Sequence, residues 1–173
     1  IRACVELVSR EAPKWEFIAA RFLSWQIDQS VDARMEQLDI HCFYDKLRYL
    51  TNEGLYGAYI LEHYTRAQIE ELEAYLDPSR DQLFTYSGLD LLAQRYLIRD
   101  HAHHLLEKTQ EMFMGIAMHL SMEETQKARR AKELYDVLST LKVTMATPTM
   151  SNARKPFHQM SSCFIDTVPD SLS

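Results

Sequence analysis

Apolar positions along this chain recur mostly at three- and four-residue steps, the spacing that gathers side chains onto one face of a helix. Val5, Val8, Trp15, Ile18, Ala19, Phe22, Leu23 and Trp25 follow it up to about Gln29, with Pro13 in between. This predicts two helices broken near Glu11 to Pro13, with Pro13 in the first turn of the second, where its missing N–H costs nothing. Residues 26–37 are too polar and irregular to assign. Phe43, Leu47 and Leu50 predict a short helix over His41 to Thr51, and Gly54 and Gly57 mark its exit.

Thr65-Arg66-Ala67-Gln68 has the form of a capping box, a hydroxyl followed three residues later by Gln. It predicts a helix with Ile69, Leu72 and Leu76 on one face, ended by Asp77-Pro78. Another helix is expected within Thr85 to Gln94, and a short strand at Arg95 to Arg99. Leu106, Met112, Phe113, Ile116, Ala117 and Leu120 define a further amphipathic helix. Ser121-Met122-Glu123-Glu124 reads as a second capping box, opening a helix with Ala128, Ala131, Leu134, Tyr135, Leu138 and Leu141 on one face.

The texture changes after Lys142. Val143 to Met145 and Cys163 to Thr167 are largely β-branched or apolar, and the connection between them is rich in Pro, Ser, Thr and Asn, so strand, loop, strand is expected. Residues 1–141 are therefore expected to form a helical domain, and 142–173 the start of another. Ile1 opens inside an expected helix and Ser173 follows an apolar run without a cap, so both ends read as cut.

A formal net charge of -6 argues against a nucleic-acid partner, which requires clustered Lys and Arg. No membrane span and no signal peptide are evident, because the most apolar helix, Met112 to Leu120, is far short of the roughly 20 residues a crossing needs. Cys4, Cys42 and Cys163 are odd in number and widely spaced, which fits reduced thiols in the cytoplasm better than a disulfide framework or a zinc knuckle.

His101-Ala102-His103-His104 is the most metal-like cluster, but it lacks carboxylates or thiols to complete a shell and reads as a solvated loop, so no metal site is expected. Glu70, Glu71 and Glu73, and the basic run from Lys127 to Lys132, read as solvated helix faces. Trp15, Trp25 and Met112, Met114, Met118 and Met122 read as core or interface packing. No phosphate-cradling glycine motif occurs among the four glycines. What remains is the hydroxyl-rich stretch from Thr147 with its thiol: backbone N–H groups and the Thr147 and Ser162 hydroxyls suit a phosphate or a sugar. A surface turn that merely connects strands fits the composition equally well.

The words Thr147-Pro148-Thr149-Met150-Ser151-Asn152 and, about a dozen residues on, Ser161-Ser162-Cys163 resemble the large (catalytic, alpha) subunit of class I ribonucleotide reductase. Ile18-Ala19-Ala20-Arg21, Tyr44-Asp45-Lys46 and Leu83-Phe84-Thr85-Tyr86 are similar to segments of that family's helical region. The resemblance implies a mainly α chain, a helical N-terminal domain leading into the first strands of a ten-stranded α/β barrel. It implies that Thr147 helps bind the diphosphate of a ribonucleotide, that Ser162 contacts the ribose, and that Cys163 is substrate-contacting and one of two redox thiols. Asp170, Ser171 and Leu172 would begin an effector site for a deoxynucleoside triphosphate. The loop words at 152–154 and 157–158 and the His-rich turn depart from the family's usual forms.

By the same resemblance, the chain itself holds no cofactor. The full enzyme would take dNTP or ATP effectors and a metal-containing, radical-bearing small subunit, be reduced by thioredoxin or glutaredoxin, and form a homodimer of large subunits. The fragment, lacking the radical cysteine, would be inactive alone. The alternative reading is a helical protein-interaction module, supported by interface-like Met and Trp faces.

Overall fold

The computed structural model describes residues 1–163 and 165. These residues are helical, as expected: α1 (Arg2–Glu6), α2 (Trp15–Gln37), α3 (Phe43–Asn52), α4 (Tyr59–His63), α5 (Arg66–Glu73), a 3-10 turn (Pro78–Leu83), α6 (Tyr86–Arg95), α7 (Thr109–Ser121), α8 (Lys127–Ser139) and α9 (Thr147–Asn152). Among the described residues no strand forms; the only pairing is an isolated antiparallel bridge between Arg99 and Leu105.

α7 is the central element. Every one of its residues except Leu120 is buried, and Met112, Met114, Ile116, Ala117 and Met118 are wholly so. α8 packs along it through Ala131, Tyr135 and Leu138, and α3, α5 and α6 contribute Leu47, Leu50, Ile69, Leu72 and Leu89 to the same core. The expected Met faces are thus core. Trp25 is not: it is 63% exposed on α2, beside Phe22.

Polar groups on α7 are buried together with their partners, as burial requires. Gln110 donates to Asp81 at 2.6 Å and accepts from the Tyr135 hydroxyl at 2.8 Å, and Ser24 of α2 donates to the other Asp81 oxygen at 2.9 Å. Lys46 meets Glu111 at 2.6 Å, and the second Glu111 oxygen accepts the Lys108 backbone N–H at the start of α7.

Several sequence expectations hold in detail. The Thr65 box is present, with Gln68 N–H donating to the Thr65 hydroxyl and Gln68 accepting from Thr65 N–H, and α3 and α6 occupy the expected stretches. Others need correction. Residues 26–37 continue α2 for three turns, because only Ile27, Val31 and Met35 face the core while the polar positions face outward. Arg95 to Arg99 is no strand: Tyr96, Leu97 and Ile98 are buried without a neighbouring strand, and their apolar run reflects core packing.

Ser121 does not cap α8. It is the last residue of α7, its hydroxyl donating back to Ala117 at 2.6 Å. Val143 to Met145 is not a strand but an extension leading to α9, with Val143 exposed. The second expected strand, Cys163 to Thr167, lies mostly outside the described residues. No helix among the described residues is long and apolar enough to cross a membrane.

Candidate functional site

The stretch predicted as a loop begins as a short helix. Pro148 sits in the first turn of α9, where a residue without an N–H and with φ already near the helical value is tolerated, so the Pro-Thr-Ser composition does not prevent helix formation. Thr149 and Met150 face inward, and Thr147 is exposed at the helix start. Its hydroxyl lies 3.4 Å from the Tyr96 hydroxyl, a long contact.

What anchors α9 is Arg154, the largest fully buried side chain among the described residues. Its Nε and Nη2 donate to the two oxygens of Glu107, each at 2.6 Å. Nη1 donates to the Met150 carbonyl and Nη2 also to the Tyr96 carbonyl, both at 2.8 Å. Glu107 Oε2 accepts the Ile98 N–H as well, at 3.1 Å. Burial works against the guanidinium's charge, but the Glu107 carboxylate outweighs it and Arg154 remains charged.

The Arg154 stem crosses α7 at Gly115, where a Cβ would stand 2.9 Å from Arg154 Cδ and 2.1 Å from Tyr56 Oη. The Tyr56 hydroxyl is buried and has no hydrogen-bond partner among the described residues; burial holds it un-ionised.

The backbone after α9 is clamped too. Gly57 N–H donates to the Arg154 carbonyl at 2.9 Å, and the Tyr59 hydroxyl shares its one hydrogen between the Ala153 and Lys155 carbonyls, at 3.0 and 2.9 Å. The His158 ring packs edge-on to Tyr59 with centroids 5.0 Å apart, and lies 5.6 Å from the buried His119 ring. Asn152 donates to the Gln159 carbonyl at 2.8 Å.

This clamped segment leads to Ser162 and Cys163, both exposed, with Oγ and Sγ 3.7 Å apart. Ser162 and Cys163 are adjacent in the chain and both exposed, and Thr147 meets Tyr96 only through the long 3.4 Å contact. Among the described residues Thr147 makes no hydrogen bond to Ser162 or Cys163. Asp170, Ser171 and Leu172 lie outside the described residues.

Cys4, Cys42 and Cys163 are all free thiols. Cys42 caps α3, its sulfur accepting from Asp45 N–H, and burial raises its pKa. The His101–His104 turn is organised by Asp100, whose carboxylate takes the Ala102 and His104 N–H groups, the His104 ring and Arg34. No group of three or more His, Cys, Asp or Glu able to hold a metal occurs among the described residues. A cavity of about 490 Å³ between α2, α6 and this turn includes Arg34, Arg99 and His103 in its lining but none of Thr147, Ser162 or Cys163.

Sequence reasoning missed Arg154, Glu107, Tyr96 and Tyr59. Arg154 stands in an otherwise polar stretch, and its spacing of four from Met150 was the only local signal. Glu107 is forty-seven residues away, and nothing local points to it.

Residues 82–158 match the family model described as ribonucleotide reductase, all-alpha domain. Over 99% of its length the chain is 59% identical to the ribonucleoside-diphosphate reductase subunit alpha of Treponema pallidum, covering 20% of that protein. It is 34% identical to the subunit alpha of Helicobacter pylori strain J99, covering 21%, and 29% identical to subunit alpha of reductase 1 of Escherichia coli K12, covering 23%. The chain thus spans about a fifth of the length of these curated relatives. The helical architecture and the motif stretch agree with these matches, which make the chain similar to ribonucleoside-diphosphate reductase alpha subunits over nearly its whole length and to the ribonucleotide reductase all-alpha domain over residues 82–158.

Proposed function

We propose that this chain is the N-terminal helical part of a class I ribonucleoside-diphosphate reductase, with residues 142–173 leading into the catalytic α/β barrel. It supplies substrate-binding groups and one redox thiol to a site completed by the rest of the subunit, and it is inactive by itself. Thr147 binds the substrate diphosphate, Ser162 the ribose, and Cys163 lies at the ribose and serves as one of the two reducing thiols. The observation that carries this reading is the segment 147–163, which begins with an exposed hydroxyl on a helix anchored by Arg154, is held as far as Gln159, and ends in an exposed hydroxyl–thiol pair.

The chemistry needs two thiols, of which Cys163 is one. Converting a ribose C2′–OH to C2′–H releases the oxygen as water and consumes two electrons. Two thiols closing to a disulfide supply two electrons and two protons. Cys4 and Cys42 belong to other parts of the fold, so the second thiol comes from the remainder of the subunit, as does the cysteine radical that opens the reaction.

Asp170, Ser171 and Leu172 begin the effector site for a deoxynucleoside triphosphate. The working enzyme is a homodimer of full-length large subunits paired with a metal-containing radical subunit. It is re-reduced by thioredoxin or glutaredoxin, which places it in the cytoplasm, where thiols are kept reduced.

The test is Cys163→Ser in the full-length subunit with its radical-bearing partner. Substrate binding stays near normal, while turnover with thioredoxin falls to one cycle or none. Sustained multiple turnover would overturn the redox assignment.

A further inference from the structure

We propose that Arg154 and Glu107 are a positioning pair for the substrate site, holding the Thr147 hydroxyl in its working orientation through α9 and Tyr96. The inference rests on the reading of Thr147 as a phosphate-binding residue.

A buried ion pair is weak evidence of stabilisation, because well-packed apolar residues of the same volume do as well or better. What a guanidinium offers instead is a planar fork whose donors point in fixed directions. In Arg154 that fork ties three separate pieces of chain: Glu107 ahead of α7, the Tyr96 carbonyl at the end of α6, and the Met150 carbonyl inside α9. Glu107 extends the tie to Ile98 N–H. Arg154 thus bridges α9 directly to the end of α6.

Thr147 is held at both ends of this arrangement. Its backbone belongs to the turn of α9 that Arg154 grips at Met150, and its hydroxyl faces the Tyr96 hydroxyl, whose own residue is gripped at the carbonyl. Either hydroxyl can donate across this long contact; in the arrangement with Tyr96 as donor, Thr147 Oγ1 keeps its hydrogen for a phosphate oxygen. Gly57 and Tyr59 hold the backbone of residues 153–155 alongside. A site built this way loses orientation when the anchor is loosened, even if the fold persists.

The test uses the full-length subunit with its radical-bearing partner and a ribonucleoside diphosphate as the varied substrate. Arg154→Lys keeps the charge but cannot span both Glu107 oxygens and two carbonyls. KM is expected to rise about tenfold, the loss of one oriented polar contact, with the thermal midpoint showing a folded protein. Thr147→Val is expected to raise KM similarly, and the double variant to be no worse than Thr147→Val alone, because Arg154 acts through Thr147. Additive effects, or an unchanged KM in folded Arg154→Lys, would overturn the positioning role while leaving Thr147 in place. An unchanged KM in Thr147→Val would overturn the substrate reading, and the inference with it. If Arg154→Lys does not fold, Tyr96→Phe tests the same link by removing one hydroxyl. A rise in KM that vanishes in the Thr147→Val background supports the proposal, and an unchanged KM refutes it.

Discussion

Replacing Gly115 with alanine should destabilise the fold, although the same change inside a helix ordinarily stabilises it by up to about 1 kcal/mol. Gly115 lies in the middle of α7, and a Cβ there would meet Tyr56 Oη at 2.1 Å, Arg154 Cδ at 2.9 Å and Tyr56 Cζ at 3.3 Å. Tyr56 is 2% exposed and Arg154 fully buried, so neither has free space to retreat into. Forcing a methyl into a packed core costs about 1–3 kcal/mol, and two immobile neighbours put this case at the upper end. Net of the helix gain, Gly115→Ala should cost about 1–2 kcal/mol.

Tyr56→Phe gives the complementary result. It removes a buried hydroxyl that has no partner among the described residues, so alone it should be neutral or slightly stabilising. It also deletes the atom closest to the new methyl, so Gly115→Ala should cost much less in that background. Urea unfolding of the four proteins, followed by far-UV circular dichroism, measures the cycle; at a slope of about 2 kcal/mol per molar, the single Gly115→Ala midpoint falls by roughly 0.5–1 M. A Gly115→Ala protein as stable as the parent, or a penalty undiminished by Tyr56→Phe, would refute the reasoning.

Burial lifts the Asp28 carboxyl to about 6 and pushes the His119 imidazole down to about 4. Asp28, raised in the fold, stabilises fully below about pH 4 and loses that contribution as pH rises to about 6; His119, depressed, stabilises above about pH 6.5 and loses it as pH falls toward 4. The two slopes oppose each other, so Asp28→Asn should make stability fall toward acid and His119→Phe should make it rise, read as urea midpoints at both ends of that window; parallel profiles would contradict this. Lys46→Met strands Glu111 without its counter-charge and should cost about 3 kcal/mol in the same assay, with Lys46→Met, Glu111→Gln recovering much of the loss, and a cost below about 1 kcal/mol would show the pair to be dispensable. Thr65→Ala, which removes the cap of α5, should cost about 1 kcal/mol, and an unchanged midpoint would deny the box any energetic role.

Where local chemistry decides the structure, the sequence was readable. Thr65 with Gln68, and the apolar faces of α3, α6 and α8, carry their own signals of cap and period. Where tertiary packing decides, the same rules misled. Tyr96 to Ile98 is apolar in the manner of a strand because it fills the core, and Ser121-Met122-Glu123-Glu124 looks like a box although Ser121 closes the preceding helix. The second half of α2 hides its helix because three core contacts in a dozen residues leave a polar face dominant.

The candidate site divides in the same way. Thr147, Ser162 and Cys163 can be singled out by residue type and motif, because exposed hydroxyls and a thiol are chemically distinctive wherever they fall. Arg154 cannot, since a charged residue in a polar stretch is ordinarily solvated. Its importance exists only once Glu107 and two carbonyls have been brought to it by the fold.

Arg154 also bears on how the chain is made. A ribosome delivering this polypeptide releases α1 to α8 well before residue 154, yet until then Glu107 has no counter-charge to be buried with, and Gly57 and Tyr59 lack the carbonyls they hold in the finished molecule. Burying that carboxylate alone would cost several kcal/mol, a large share of a domain's stability. The helical unit is therefore expected to complete itself only after Arg154 has cleared the exit tunnel, so that the segment bearing Thr147 also acts as a late latch of the scaffold during synthesis.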